Sequence, residues 1–99
     1  MVDYRLSRAA DEDLARLYRH GYERHGEEQA DAYYDSLLER FDRIAARPEM
    51  YPVMTGLDKR LRRSVYGVHA IYYMQEPESV LIVRVLGRED RERALKKTQ

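Results

Sequence analysis

Two amphipathic helical segments separated by only two residues constrain the fold of this chain more than any other feature. Apolar residues recur at helical spacing over about residues 8–24, and again from Glu27 to the Arg47-Pro48 pair. This spacing is typical of helices that bury one side against a core. Because only His25-Gly26 connects them, the two helices are predicted to form an antiparallel hairpin.

The ends of both predicted helices carry residues suited to them. Ser7 is a candidate N-cap, since its hydroxyl can accept an otherwise unpaired backbone N–H of the first turn. Gly26 can adopt the left-handed conformation that often follows a helix. Proline restricts the residue before it, so Arg47-Pro48 is predicted to end the second helix.

Four further segments have the alternation or apolar content of strands. Residues 2–6 alternate apolar and polar side chains, as do residues 60–66. Residues 68–75 are apolar on both sides, and residues 80–86 form the most apolar run of the chain. The last run is predicted to be a central strand covered by the helices. Residues 48–58 hold two prolines and a glycine and are predicted to be an irregular crossover.

This order of elements predicts an α+β fold in a single domain spanning residues 1–99. An N-terminal strand precedes an antiparallel two-helix hairpin, which packs on one face of a mostly antiparallel sheet completed by a C-terminal three-strand meander. The polar, helix-prone tail 88–99 is expected to be a frayed last helix or a disordered end, with about residues 96–99 as the disordered part. The opposite sheet face is expected to be partly exposed and to carry some of Arg60, Arg62, Ser64, His69, Ile71 and Tyr73.

Composition excludes several kinds of site. The 99 residues include no cysteine, which rules out disulfides, zinc–thiolate sites, iron–sulfur ligation and a catalytic thiol. His20 and His25 are five positions apart, not the three or four that place two ligands on one helix face. We therefore expect no metal and no cofactor. No apolar run is long enough to span a membrane and the first residues do not resemble a signal peptide, so a cytoplasmic protein is expected.

Charge is divided unevenly along the chain although the net charge is zero. Residues 1–58 carry a net charge of −5, and residues 59–99 carry +5. This asymmetry is consistent with a basic surface on the C-terminal half that meets an acidic partner. It is equally consistent with helices that collected acidic residues and strands that collected basic ones.

Four stretches of the chain, in this order, resemble the RelE/ParE superfamily of bacterial toxins, and most closely its ParE branch. They are YRLSRAADEDLARLYRHGYERHG, ADAYYDSLLERFDRIAARP, KRLRRSVYGVHAIYYM and VLIVRVLGREDRERAL. The resemblance covers about nine-tenths of the chain. Each stretch alone is mostly a core pattern, so the order and spacing of all four carry the resemblance.

The resemblance implies the family's fold, with the first strand beside the last, and a toxin of a type II toxin–antitoxin pair. ParE toxins poison DNA gyrase, and each is held inactive by a small ParD antitoxin from the same operon. The antitoxin's disordered C-terminal part folds onto the toxin, and its N-terminal part binds DNA. Such complexes are commonly heterotetramers or larger. A binding toxin with no catalytic activity of its own is therefore expected.

The RelE branch suggests an alternative function, ribosome-dependent cleavage of mRNA. That reaction needs a general base, a general acid and cations for the phosphorane charge. No tyrosine or histidine occurs after Tyr73, so the family's C-terminal acid–base position is empty. This argues against a ribonuclease, although Tyr73 or His69 remain alternative proton carriers. A third possibility is a degenerate, non-toxic module that still binds an antitoxin.

The resemblance and the charge pattern together give two sets of candidate binding residues. An exposed apolar groove beside the helix hairpin is expected to take an antitoxin helix or strand. Arg84 interrupts the most apolar strand, and its alternative role is an internal ion pair with Asp3 or Glu76. The candidate antitoxin-binding residues are Arg60, Arg62, Arg84, Tyr73, Leu14 and Tyr18. The candidate gyrase-binding residues are Arg88, Asp90, Arg91 and Leu95.

Overall fold

Every element predicted within the described part of the chain is present, with its ends shifted by at most one or two residues. The computed structural model describes residues 3–54 and 60–87. The predicted C-terminal end and part of the crossover lie outside these residues. The elements are β1 (Asp3–Leu6), α1 (Arg8–His25), α2 (Glu27–Ala46), a short 3₁₀ helix (Pro48–Met50), β2 (Leu61–Tyr66), β3 (His69–Gln75) and β4 (Ser79–Gly87).

The strands form one mixed sheet in the order β1-β4-β3-β2. β3 pairs antiparallel with both β2 and β4, while β1 runs parallel to β4 with Leu6 opposite Ile82. The predicted α+β fold is thus confirmed, including the first strand beside the last. β4 is an interior strand, as its apolar sequence predicts.

The helix hairpin is held by the predicted caps. The Ser7 hydroxyl accepts a hydrogen bond from the Ala10 N–H at 2.9 Å. Gly26 has φ 88° and ψ 170°, a positive-φ conformation that favours glycine but not the left-handed helical one. The difference arises because Gly26 alone connects the helices: its N–H donates to the Tyr22 carbonyl and its carbonyl accepts from the Ala30 N–H.

The core lies between this hairpin and one face of the sheet. Apolar side chains along both helices pack onto residues of β3 and β4, and Tyr4 of β1 meets the Phe41 ring edge-on at 5.3 Å between centroids. The core cluster consists of Ala10, Leu14, Leu37, Phe41, Ile44, Ile71, Tyr73, Val80, Ile82 and Val85.

The prediction of which residues lie on the exposed face of the sheet is wrong. Ser64, Ile71 and Tyr73 are fully buried, so these positions face the helices. The alternation in β2 is as predicted but its orientation is reversed, so Val65 lies on the open face with 52% exposure. The polar groups are tolerated inside because each has a partner. The Tyr73 hydroxyl donates to the Pro48 carbonyl at 2.6 Å, and the Ser64 hydroxyl accepts from Arg40 at 2.9 Å.

Asp13 fastens α1 to the part of β4 that extends beyond β1. Its side chain is 1% exposed, and its Oδ2 accepts the Val85 N–H at 2.9 Å. Arg84 donates through Nε and Nη2 to the two carboxylate oxygens at 2.8 and 3.0 Å. Arg16 adds a bond of 2.7 Å to Oδ1. The carboxylate therefore completes the edge of β4 where no parallel strand covers it.

The titration of Asp13 links this contact to pH. Burial by itself would raise the pKa of Asp13, but hydrogen bonds from Arg84, the Val85 N–H and Arg16 outweigh it and hold the pKa below its usual value. A carboxyl whose pKa is lower in the folded state stabilises the fold above its unfolded-state pKa. That stabilisation is lost as pH falls through the folded-state value.

Asp13→Asn is expected to lower the free energy of unfolding by about 2–3 kcal/mol at pH 7, because it removes the charge that Arg84 faces and weakens a buried hydrogen bond. Urea unfolding at pH 7 and about pH 2.5 measures this. The exposed neighbour Glu12, changed to Gln, is the control and should cost little. At the lower pH the difference between wild type and Asp13→Asn should shrink, and equal stability at pH 7 would contradict the assignment.

Candidate functional site

A groove of about 790 Å³ lies beside the helix hairpin, where the sequence predicted one. α1 and α2 form one wall, and the ends of β3 and β4 form the other. Leu17, Ala30 and Val85 supply apolar surface, and Tyr18 lines the side formed by the hairpin. The Asp13–Arg16 pair supplies charge at the α1 wall. A mixed surface of this kind suits an amphipathic peptide segment better than a small polar molecule.

Tyr33 and His69 join the two walls of the groove. The Tyr33 hydroxyl lies 2.7 Å from Nδ1 of His69 and donates to the Tyr66 carbonyl at 3.2 Å. Burial, the largest cause, raises the pKa of Tyr33, so this hydroxyl stays protonated. The turn after β2 fits closely over it, because Gly67 has φ +57° and a Cβ there would lie 2.9 Å from the Tyr33 hydroxyl.

The groove also brings together residues that the sequence reasoning did not connect. His20 and His25 from α1 and His69 from β3 all line it. From the sequence, His20 and His25 were considered as a metal pair, and His69 as a residue of the exposed sheet face or a proton carrier. The available signal was helical spacing, since Asp13, Arg16 and His20 recur at intervals of three and four and so share one face of α1.

Two predicted antitoxin-binding residues are in the core instead of on the surface. Leu14 is 1% exposed and Tyr73 is fully buried. The predicted place of Tyr73 on the exposed face of the sheet is therefore wrong, whereas Tyr72, the neighbouring residue of β3 on the opposite face, is partly exposed. Tyr18 does line the groove. Its hydroxyl donates to Asp31 at 2.6 Å, and this hydrogen bond is the main cause that raises the pKa of Tyr18 to about 12.

The three predicted arginines do not form one cluster. Arg62 donates to the Tyr51 carbonyl at 2.6 Å, at the β2 edge of the sheet. Arg60 is exposed just before β2. Arg84 is held by Asp13 on the far side of β3, so the structure favours the internal ion pair for this residue. The partners predicted for that ion pair, Asp3 and Glu76, were wrong.

Those predicted partners do not bond Arg84. Glu76 instead receives a bidentate bond from Arg5, at 3.0 and 2.9 Å. Asp3 lies at the start of β1, opposite Ser79 in the register. The acid that does pair with Arg84 is 71 residues away along the chain.

The position of Tyr73 does not suit the proton transfer that the alternative ribonuclease function would require of it. Desolvation raises the pKa of Tyr73 to about 12, and its hydroxyl already donates to a backbone carbonyl inside the core. Tyr73 is therefore excluded as a proton carrier for a bound substrate. Within residues 3–54 and 60–87, no cluster of three or more His, Asp or Glu side chains is arranged to hold a metal ion. Among the helices described, none is long and apolar enough to cross a membrane.

Comparisons with known proteins place the whole described fold in one family. The family model for the ParE toxin of the type II toxin–antitoxin system parDE matches residues 4–92. Toxin ParE1 of Caulobacter vibrioides is 35% identical over 94 residues, which are 95% of this chain and 97% of that protein. Toxin ParE1 of Mycobacterium tuberculosis is 33% identical over 84 residues, covering 84% of this chain and 86% of that protein.

Solved structures show the same fold at lower sequence identity. A chain of the chromosomal ParDE system from P. aeruginosa superposes with a TM-score of 0.74 at 16% identity, covering 88% of this chain and 96% of that one. The conserved hypothetical protein HP0894 of Helicobacter pylori gives a TM-score of 0.56 at 14% identity, covering 92% and 99%.

Tyr33→Phe is expected to cost about 1 kcal/mol of unfolding free energy and to change the environment of the His69 ring, because both hydrogen bonds of the hydroxyl are lost. Thermal unfolding and the ring-nitrogen NMR shifts of His69 measure the two effects. Tyr22→Phe is the matched control, since Tyr22 is 50% exposed. Unchanged His69 shifts in Tyr33→Phe would show that the two side chains are not bonded in solution.

Proposed function

The chain belongs to the ParE toxin family of type II toxin–antitoxin systems, and we propose that it inhibits DNA gyrase by binding and is neutralised by a ParD-type antitoxin seated in the groove. The observation that carries the antitoxin part is the groove itself. It is large enough for a peptide segment, lies beside the hairpin and has both apolar and charged walls. The P. aeruginosa relative belongs to a ParDE system, which supports a partner of the same kind.

The antitoxin is proposed to make two kinds of contact. Tyr18 and the apolar wall of the groove receive the apolar side of a helix or strand. Arg60 and Arg62, at the β2 edge, are proposed to attract acidic residues of the same partner, in keeping with the positive charge of the C-terminal half. The other predicted antitoxin-binding residues are proposed to act indirectly, by holding the walls of the groove in place. They are Leu14, Tyr73 and Arg84.

Gyrase inhibition is proposed to need no chemistry from this chain. Support comes from Tyr73, whose buried and hydrogen-bonded hydroxyl is unsuited to proton transfer. The proposed gyrase-binding residues are those predicted from the sequence, Arg88, Asp90, Arg91 and Leu95, and they lie outside the described residues. Ribosome-dependent mRNA cleavage and a non-toxic antitoxin-binding module are the alternatives that the experiments must separate.

The direct test uses purified gyrase, relaxed plasmid, ATP and the antitoxin-free protein. We expect supercoiling to stop, or cleaved DNA to accumulate, and activity to return when the ParD-type antitoxin is added. The protein's circular dichroism, recorded in the same buffer, controls for folding. A folded protein in excess over gyrase that changes neither supercoiling nor cleavage would overturn gyrase as the target. Cleaved transcripts on translating ribosomes would then identify the nuclease alternative.

Ala32→Glu tests the groove as the antitoxin site. Ala32 is an exposed groove residue of α2, so a charged and larger side chain should block docking without disturbing the core. We expect at least a tenfold loss of antitoxin affinity in calorimetry, and growth inhibition that the antitoxin no longer relieves. Ala46→Glu is the matched control, because Ala46 is exposed on the same helix away from the groove. Equal affinity for both variants and the wild type would place the antitoxin elsewhere.

A further inference from the structure

A second, smaller pocket of about 420 Å³ lies in the cleft between α1 and α2. Both helices line it, and no strand residue does. Its lining residues are Asp11, Leu14, Ala15, Tyr18, Asp31 and Tyr34. Tyr18 also lines the groove, so a segment that lies against this side chain in the groove borders the second pocket too. The groove and the second pocket therefore share a wall.

Two tyrosine rings form a corner of the second pocket. The ring centroids of Tyr18 and Tyr34 are 5.8 Å apart, and the ring planes meet at 85°. Tyr22, one turn after Tyr18 on α1, extends this aromatic surface, with a centroid distance of 6.4 Å to Tyr18. The face of an aromatic ring carries partial negative charge and attracts a cation within about 6 Å of its centroid. The corner therefore favours a cationic group over an anionic one.

Each helix adds one carboxylate beside the rings. Asp31 Oδ1 accepts a hydrogen bond of 2.6 Å from the Tyr18 hydroxyl, which holds this carboxylate next to the ring and leaves Oδ2 able to accept another. Asp11 lines the pocket from α1 and is exposed. In the part of the chain that the structure describes, no basic side chain lies within ion-pair distance of Asp11 or Asp31. Both carboxylates can therefore accept a cation from a partner.

The charged residues that surround the second pocket do not neutralise it. On α2, Glu27 and Asp35 lie one turn before and one turn after Asp31, so the three acidic residues share a helix face. On α1, Arg8 and Arg19 flank the pocket-lining face. Both arginines are exposed, and neither makes an ion pair with a residue that the structure describes. An occupant of the pocket therefore meets mainly negative charge from α2.

We infer that the antitoxin seated in the groove places an arginine or lysine side chain in the second pocket, between the two tyrosine rings and the carboxylates of Asp11 and Asp31. This inference rests on the proposed function, because it takes the antitoxin as the occupant of the groove. Such a cation gains the ring faces and charge-assisted hydrogen bonds together. An arginine suits both contacts, because its planar guanidinium stacks on a ring while its N–H groups donate to carboxylates.

Calorimetry of the toxin with the ParD-type antitoxin that neutralises it, at low and high salt, tests the inference. D11N/D31N removes both negative charges and keeps an acceptor for the Tyr18 hydroxyl. It is expected to bind the antitoxin roughly fivefold to tenfold more weakly than the wild type at about 0.05 M salt. At about 0.5 M salt the difference should shrink, because salt screens partly exposed charges.

E12Q/D35N is the matched control. It also removes one exposed carboxylate from each helix, but neither residue lines the second pocket or the groove. It should bind the antitoxin nearly as well as the wild type. Thermal unfolding should be similar for both double variants, since all four positions are exposed. If D11N/D31N unfolds more easily, the single variant D31N replaces it and should still bind more weakly than D35N.

A charge exchange identifies the antitoxin residue. D11K/D31K should bind the antitoxin more weakly still, and changing one particular basic residue of the antitoxin to Glu should restore part of that affinity. Equal affinity of D11N/D31N and the wild type, or an equal loss in E12Q/D35N, overturns the inference. The proposed function then stands if Ala32→Glu still blocks binding. Absence of binding between the wild type and the antitoxin overturns the proposed function, and the inference with it.

Discussion

The contact between Asp13 and the end of β4 is the interaction on which the rest of the structure depends. β1 is four residues long and β4 is nine, so the outer edge of β4 would be unpaired beyond Ile82. Ser7 makes the first contacts with this edge, because its N–H donates to the Ile82 carbonyl and its hydroxyl donates to the Val83 carbonyl. Asp13 makes the next contact, because its carboxylate accepts a hydrogen bond from the Val85 N–H. The start of α1 thus acts as a continuation of β1.

The groove follows from that arrangement. Because α1 is held against β4 at Asp13, its next turns run past the ends of β3 and β4, and the hairpin brings α2 back along it. The Tyr33–His69 bond then closes the far side, next to the tight turn at Gly67. An antitoxin seated between these contacts would touch four elements at once. Binding in the groove would depend on the intact fold, because the groove exists only where the hairpin and the sheet meet.

Helix and strand positions could be predicted from the sequence because spacing and caps are local. The orientation of the sheet could not, because β2 alternates polar and apolar residues without showing which set has buried partners. A register shift between Tyr72 and Tyr73 adds to this, since it lets Ile82 and Val85, three apart, both face the core. The Arg84 partner was missed for a similar reason: Asp13 is distant in sequence. The place of the groove beside the hairpin could be predicted, but its full lining could not, because residues of α1, α2, β3 and β4 that are distant in sequence meet there.

The most direct test of the groove as the antitoxin site is NMR mapping on the toxin labelled with ¹⁵N. We predict that adding the ParD-type antitoxin shifts the amide signals of Gln29, Val68 and Val85, which line the groove. Signals of Leu61 and Val65, on the open face of the sheet, should move less. Shifts confined to the open face, with the groove signals unchanged, would show that the antitoxin does not bind in the groove.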